Sequence, residues 1–180
     1  MVQEILIGLF IVGLQFISAI ILSAGALYGA ISLLDRLTPN INEWKLIKKG
    51  NAAVGLFYAT VMLATIILVA PRIIDFISVL NQISYGQSLL MSAIFIVAML
   101  INYFLGLLIT LIVLFLTLHI IDRLTTDVNE FEELEKGNVA MSLITSTAML
   151  TVSALCFVPM SVLFRLIADV ESRMILSFLL

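Results

Sequence analysis

Charge is scarce in this sequence. Asp, Glu, Lys and Arg supply 12% of its 180 residues, where a soluble globular domain carries about 25%. So few polar groups cannot cover a surface in water, so a water-soluble globule is excluded and a lipid-embedded chain is implied. Cysteine occurs once, as Cys156. That excludes an internal disulfide and any cysteine-based metal site. Histidine also occurs once, as His119. No metal-ligand cluster, phosphate-cradling loop or nucleophile with an evident base is present, so neither an enzyme nor a cofactor is expected. The net charge of −3 offers no basic patch, and nucleic acid is not an expected partner.

Hydrophobic residues are abundant, at 62% of the chain, and the mean hydropathy is +1.21. A membrane-crossing helix needs about 20 apolar residues. Four stretches qualify, at roughly 5–34, 52–70, 89–121 and 139–164. The fold class expected is therefore all-α, a polytopic membrane protein of four spans. The opening "MVQEILIGLF" has no basic segment and carries Glu4, so it reads as a retained span rather than a removed signal. Gly25 and Gly29 form a small-xxx-small pair that lets another helix come close.

The chain repeats itself at an offset of 87 residues. From Asp35 to Ala53, ten of nineteen positions equal their partners from Asp122 to Ala140. Each unit is a span, a polar elbow and a second span, which predicts two parallel hairpins with both elbows on one membrane face. A pseudo-twofold axis along the membrane normal is the simplest relation between them. The division expected is a first repeat over 1–70, an amphipathic connector lying on the membrane over 71–88, a second repeat over 89–165 and a tail over 166–180.

Lysine and arginine set the orientation. Arg36, Lys45, Lys48, Lys49, Arg123 and Lys136 lie on the elbow side, against Arg72, Arg165 and Arg173 on the other. Six against three predicts cytoplasmic elbows, with both termini outside.

The elbows hold the candidate site. Asn40 and Asp127 are placed to cap a short helix, with Glu43 and Glu130 three residues on. Gly50 and Gly137 would end that helix, and Asn51 and Asn138 would cap the next. On this reading the elbow is a helix-entry device that includes Arg36, Thr38, Arg123 and Thr125. Asp35 and Asp122, however, sit at the end of a long helix, where the macrodipole disfavours an anion. Their presence in both units asks for a partner, and with Asn51 and Asn138 they form a candidate ion or polar site. His119, one turn before Asp122, is a second candidate as a proton relay. Ser142, Thr145, Ser146 and Ser153 fall largely on one face of the fourth span. Such a stripe lines a hydrated path or bonds helix to helix. The first elbow is rich in Lys and the second in Glu, so one can dock on the other within or between chains.

The elbow pattern D-x-L-T-x-x-x-x-E, then K-G-N-x-A, occurs as Asp35–Glu43 with Lys49–Ala53 and again as Asp122–Glu130 with Lys136–Ala140. It resembles the domain of unknown function 350 family of small bacterial inner-membrane proteins. The resemblance implies an inner (plasma) membrane location and duplicated two-span units. Some relatives are associated with membrane-stress proteins, which implies a scaffold. Two functions therefore stand side by side. One is an oligomeric channel or transporter-like subunit for ions or small polar solutes. The other is a non-conducting scaffold or accessory subunit that recruits a membrane or cytoplasmic partner through its elbows. A homo-oligomer is expected in either case.

Overall fold

A computed structural model describes residues 2–38, 42–83, 89–125 and 129–179. Among these the chain is helical: α1 (Val2–Leu37), α2 (Glu43–Lys48), α3 (Ala52–Ile83), α4 (Leu89–Leu124), α5 (Glu130–Glu135) and α6 (Val139–Leu179). Four helices are long and apolar enough to cross a membrane, at Ile5–Leu37, Ala52–Asn81, Leu90–Leu124 and Val139–Val170. In hydrocarbon every backbone polar group must be bonded internally, which long uninterrupted helices achieve. At 1.5 Å per residue, α1 and α4 are each about 54 Å long, well beyond a hydrocarbon layer of about 30 Å.

Two expected boundaries are corrected. Residues 71–83 form no separate surface connector; they continue α3. Pro71 removes one backbone donor, yet Ile73, Phe76 and Leu80 keep the apolar stripe running and are buried against α1 and α4. That packing outweighs the proline. Residues 84–88 of the expected connector lie outside the described residues. Likewise 166–179 are no separate tail, because α6 runs through Pro159 to Leu179.

The centre of the bundle is α3. Of the apolar core of each span, 56% of residues are buried in α3, against 6% in α1, 28% in α4 and 17% in α6. Among the described residues helix α3 packs along α1, α4 and α6, whereas α6 packs along α3 and α4 and has no extended contact with α1. A twofold relation would pair α6 with α1 as α3 pairs with α4. The expected pseudo-twofold axis is therefore not realised. The hairpins do run parallel, and both elbows stand at one end of the bundle. Tyr103 donates a hydrogen bond to the Leu22 carbonyl at 2.7 Å, joining α4 to α1. At Gly25 and Gly29 the first helix comes up against Tyr103, Leu107 and Leu111. Gln15 bridges α1 to α3 by donating to Asn81 Oδ1 at 2.7 Å.

Candidate functional site

The two elbows are built alike. The caps are Asn42 and Asn129, whose side chains accept from the backbone of Lys45 and Glu132. Asn40 and Asp127, expected in that role, lie outside the described residues, and the helices begin two residues later than that reading places them. Glu43 and Glu130 thus become the first helical residues, and both turn inward. Gly50 and Gly137 adopt φ of 84° and 87°, a left-handed geometry that glycine alone takes at no steric cost. Around each, paired bonds close a Schellman end: Asn51 to Leu46 and Gly50 to Ile47, then Asn138 to Glu133 and Gly137 to Leu134. Asn51 Oδ1 and Asn138 Oδ1 accept from Val54 and Met141, capping α3 and α6.

Their surroundings differ. Asn51 Nδ2 reaches the other repeat and donates to the carbonyls of Leu134 and Glu135 at 2.9 and 3.0 Å. Asn138 Nδ2 stays in its own elbow and donates to Glu133 Oε2. Glu43 is 7% exposed. The Thr38 hydroxyl lies 2.7 Å from Glu43 Oε1 and 2.9 Å from the Leu34 carbonyl, shared between them. A cavity of about 10 Å³ remains between Thr38, Glu43, Tyr58, Phe131 and Leu134, room for about one water. Thr125 donates to its own helix, at Ile121, and to no other group among the described residues. Glu130 is 4% exposed, and its carboxyl lies beside that of Asp122, close enough to couple with it though outside good hydrogen-bond geometry. Burial, with the nearby Asp122 carboxylate adding to it, pushes its pKa above the usual carboxylate range.

The remaining elbow residues face outward. Asp35, Arg36, Asp122 and Arg123 are exposed, and Asp35 lies within electrostatic reach of Glu43 and Tyr58. His119 is exposed and stacks on Phe115, ring centroids 6.1 Å apart and planes nearly parallel. No hydrogen bond joins it to Asp122 among the described residues, so the structure does not bring the expected relay pair together. No group of acidic, His or Cys residues able to hold a metal occurs among the described residues.

The serine stripe of α6 turns inward. Ser142, Thr145, Ser146 and Ser153 are all buried. Ser142 donates to the Ala53 carbonyl of α3 at 2.7 Å, an interhelical bond across the repeats. Thr145 bonds back to its own helix. The oxygens of Ser146 and Ser153 are buried without a partner among the described residues, whereas the Tyr58 hydroxyl is buried beside Glu43 and Thr38 in the first elbow.

Arg72 is the residue that sequence reasoning missed. Its guanidinium is buried, 4.4 Å above the Phe164 ring and 3.0 Å from Asp75. Gly106 admits it: a Cβ there would stand 2.6 Å from Arg72 Cγ. Arg72 is 20 residues beyond Ala52, about 30 Å along the helix, so it marks the opposite end of the span. The signal is an arginine flanked by apolar residues in "VAPRII", which counts only as a charge on the far side as long as the segment reads as a surface connector.

No curated protein and no solved structure matches the chain. The duplicated elbow and the paired spans agree with the one comparison that does match. The family described as Domain of Unknown Function (DUF350) matches residues 5–110 and again 95–170, and the chain belongs to it.

Proposed function

We propose that this is a non-enzymatic membrane protein of the transport class, which moves ions or small polar solutes between the elbows and the Arg72 end along the seam of α3 and α6. One observation carries the reading, the buried hydroxyls of Ser146 and Ser153 on α6 without partners among the described residues. In a low-dielectric interior each unpartnered hydroxyl costs on the order of 1–3 kcal/mol. Alanine would fill the same space without that cost. Hydroxyls in such places gain when they exchange hydrogen bonds with something that passes. Glu130 supplies a carboxyl that burial biases toward holding its proton. The cavity beside Glu43 in the first elbow admits about one water, so a hydrated ion requires that elbow to open. With six Lys and Arg residues against three, the elbows belong on the cytoplasmic side of an inner membrane, with both termini outside.

The test is flux into liposomes holding the purified chain. Wild-type flux that falls at least tenfold in Ser146→Ala with Ser153→Ala, while the protein remains folded, supports the seam. Asp35→Asn with Asp122→Asn examines the mouth in the same assay. Absence of wild-type flux for protons, several cations and several anions defeats the reading.

A second reading is favoured by the elbow surfaces. Lys45, Lys48 and Lys49 are exposed on one elbow, Glu132 and Glu135 on the other, all at one end of the bundle. A scaffold would use those charges to recruit a partner. It predicts that the paired Asp substitutions abolish recruitment in a protein that never conducted.

A further inference from the structure

The internal repeat makes it possible to ask which surfaces of one unit are used by the other. In the first repeat the groove between α1 and α3 is full. Phe57, Val61 and Ala64 are buried there with Leu34. What fills it comes from the second repeat: Leu114 and Leu118 of α4, Leu134 of α5 and Met149 of α6 share that core. Phe131 packs edge-to-face on Phe57 with ring centroids 6.1 Å apart.

The same groove in the second repeat is empty. Subtracting 87 from Ile144, Ala148 and Thr151 gives Phe57, Val61 and Ala64, yet Ile144 is 61% exposed and Thr151 is exposed. Between α4 and α6 these residues line an open groove of about 640 Å³. The matching insert is largely uncovered, with Ile47 packing only partly against the core of its own repeat. The counterparts of Leu114, Phe131, Leu134 and Met149 are Leu27, Trp44, Ile47 and Met62. None of them is buried, and Trp44 is 53% exposed. One chain thus carries a filled copy of the interface and both unfilled halves of a second copy.

We infer that a second copy of this chain fills the groove: its first repeat enters between α4 and α6, head to tail, as the second repeat already enters between α1 and α3. Trp44 of the incoming chain takes the place of Phe131 and covers Ile144. Asn138 then stands where Asn51 stands, facing the last-turn carbonyls of Ile47 and Lys48 as Asn51 faces those of Leu134 and Glu135. Gly55, the counterpart of Ser142, has open space beside it, so the incoming backbone meets no side chain there. Charge agrees with the docking. The incoming α2 exposes Lys45, Lys48 and Lys49, and the receiving elbow carries Glu132, Glu133 and Glu135. Lipid tails can cover the apolar middle of the groove, but they offer nothing to the elbow end, where Trp44 and these charges lie. The contact is heterologous, so each chain has one groove and one insert and copies continue into a closed ring or a line. The inference stands without the transport reading.

The test uses full-length protein in bilayers, in a Cys156→Ala background. Chains with Trp44→Cys alone are mixed with chains carrying Ile144→Cys alone, and a short bifunctional thiol reagent is added. Cross-linked pairs in the mixture, and in neither chain alone, are expected. Cross-linking of one variant with itself overturns the proposal in favour of an isologous contact. No cross-linking in any sample overturns it in favour of a lipid-covered groove. Subunit counting on Ala148→Trp, which plugs the groove without touching the elbows, is the independent reading. A drop to single chains is expected, and an unchanged count in a folded protein refutes the docking.

Discussion

The two elbows share ten of nineteen residues between Asp35 and Ala53 and their partners, and they share their local structure down to the asparagine caps and the left-handed glycines. What surrounds them is not shared. The first elbow is roofed by Phe131 and Leu134 of the other repeat, and its Asn51 is tied across the repeats. The second has no such roof from the first repeat, and its Asn138 turns back to Glu133. Short-range chemistry is inherited with the sequence, because caps and Schellman ends need only a few neighbouring residues. Long-range packing follows from which face meets which. A head-to-tail contact between two like units uses different faces of each.

The sharpest difference lies at Gly106, whose counterpart in the first repeat is Ala19. Gly106→Leu must displace the Arg72 stem, which Phe164 and Asp75 hold in place. Overpacking of this kind costs about 3 kcal/mol. At the counterpart position, Ala19→Gly costs about 1 kcal/mol through helix propensity. Denaturant unfolding in detergent measures both. Equal costs would mean that Arg72 is free to move and that the far end of the bundle is loosely packed.

Next in size is the asparagine pair. Asn51→Ala loses a helix cap and two bonds to the other repeat, about 2 kcal/mol together. Asn138→Ala loses its cap and an exposed bond to Glu133 that water replaces, about 1 kcal/mol. The comparison is made on single chains in detergent, where no second copy can restore the symmetry. If the two losses match there, the elbows are equivalent after all and the packing described for Asn51 is wrong.

Much of this was legible beforehand. Spans are strongly signalled because 18 or more apolar residues have few other uses, and the glycine and asparagine roles followed from their order in Lys49–Ala53 and Lys136–Ala140. Three things were not legible. Asn42 and Asn129 compete with Asn40 and Asp127 for the cap, and sequence offers equal chemistry at both positions. Pro71 reads as a boundary, since proline lacks a backbone donor; only the burial of Ile73, Phe76 and Leu80 overrules it. The inequality of the repeats could not be read either, because identical motifs carry no record of which unit inserts into which.

A smaller effect tests the acids. Thr38→Val removes the hydroxyl beside the buried Glu43 carboxyl, a loss of about 1.5 kcal/mol. Thr125→Val removes only a bond back to its own helix and costs about 0.5 kcal/mol or less. Thermal unfolding of the two variants side by side separates them. A larger loss for Thr125 would indicate that its hydroxyl reaches Glu130.

The smallest predicted effects are opposite in sign and belong to one elbow. Glu130 has its pKa raised by burial and by Asp122. The folded chain then holds that proton more tightly than the unfolded chain does. Stability therefore falls as pH rises from the ordinary carboxylate range through the raised value. Glu130→Gln removes this slope and gains stability at neutral pH. Glu133 is shifted the other way, lowered by hydrogen bonds from Asn138 and Lys136. Its contribution is present above the ordinary carboxylate pKa and is lost as pH falls through the lowered one. Because Glu133 is partly exposed and its partner Lys136 more so, that contribution is small and fades with salt, and Glu133→Gln flattens only the acid side of the profile. The counterpart of Glu133 in the first repeat is Leu46, so no matching group masks it. Unfolding midpoints taken across pH for wild type and both variants separate the two slopes. An unchanged profile in Glu130→Gln would place that carboxyl in water, and the second elbow would then be open where the structure closes it.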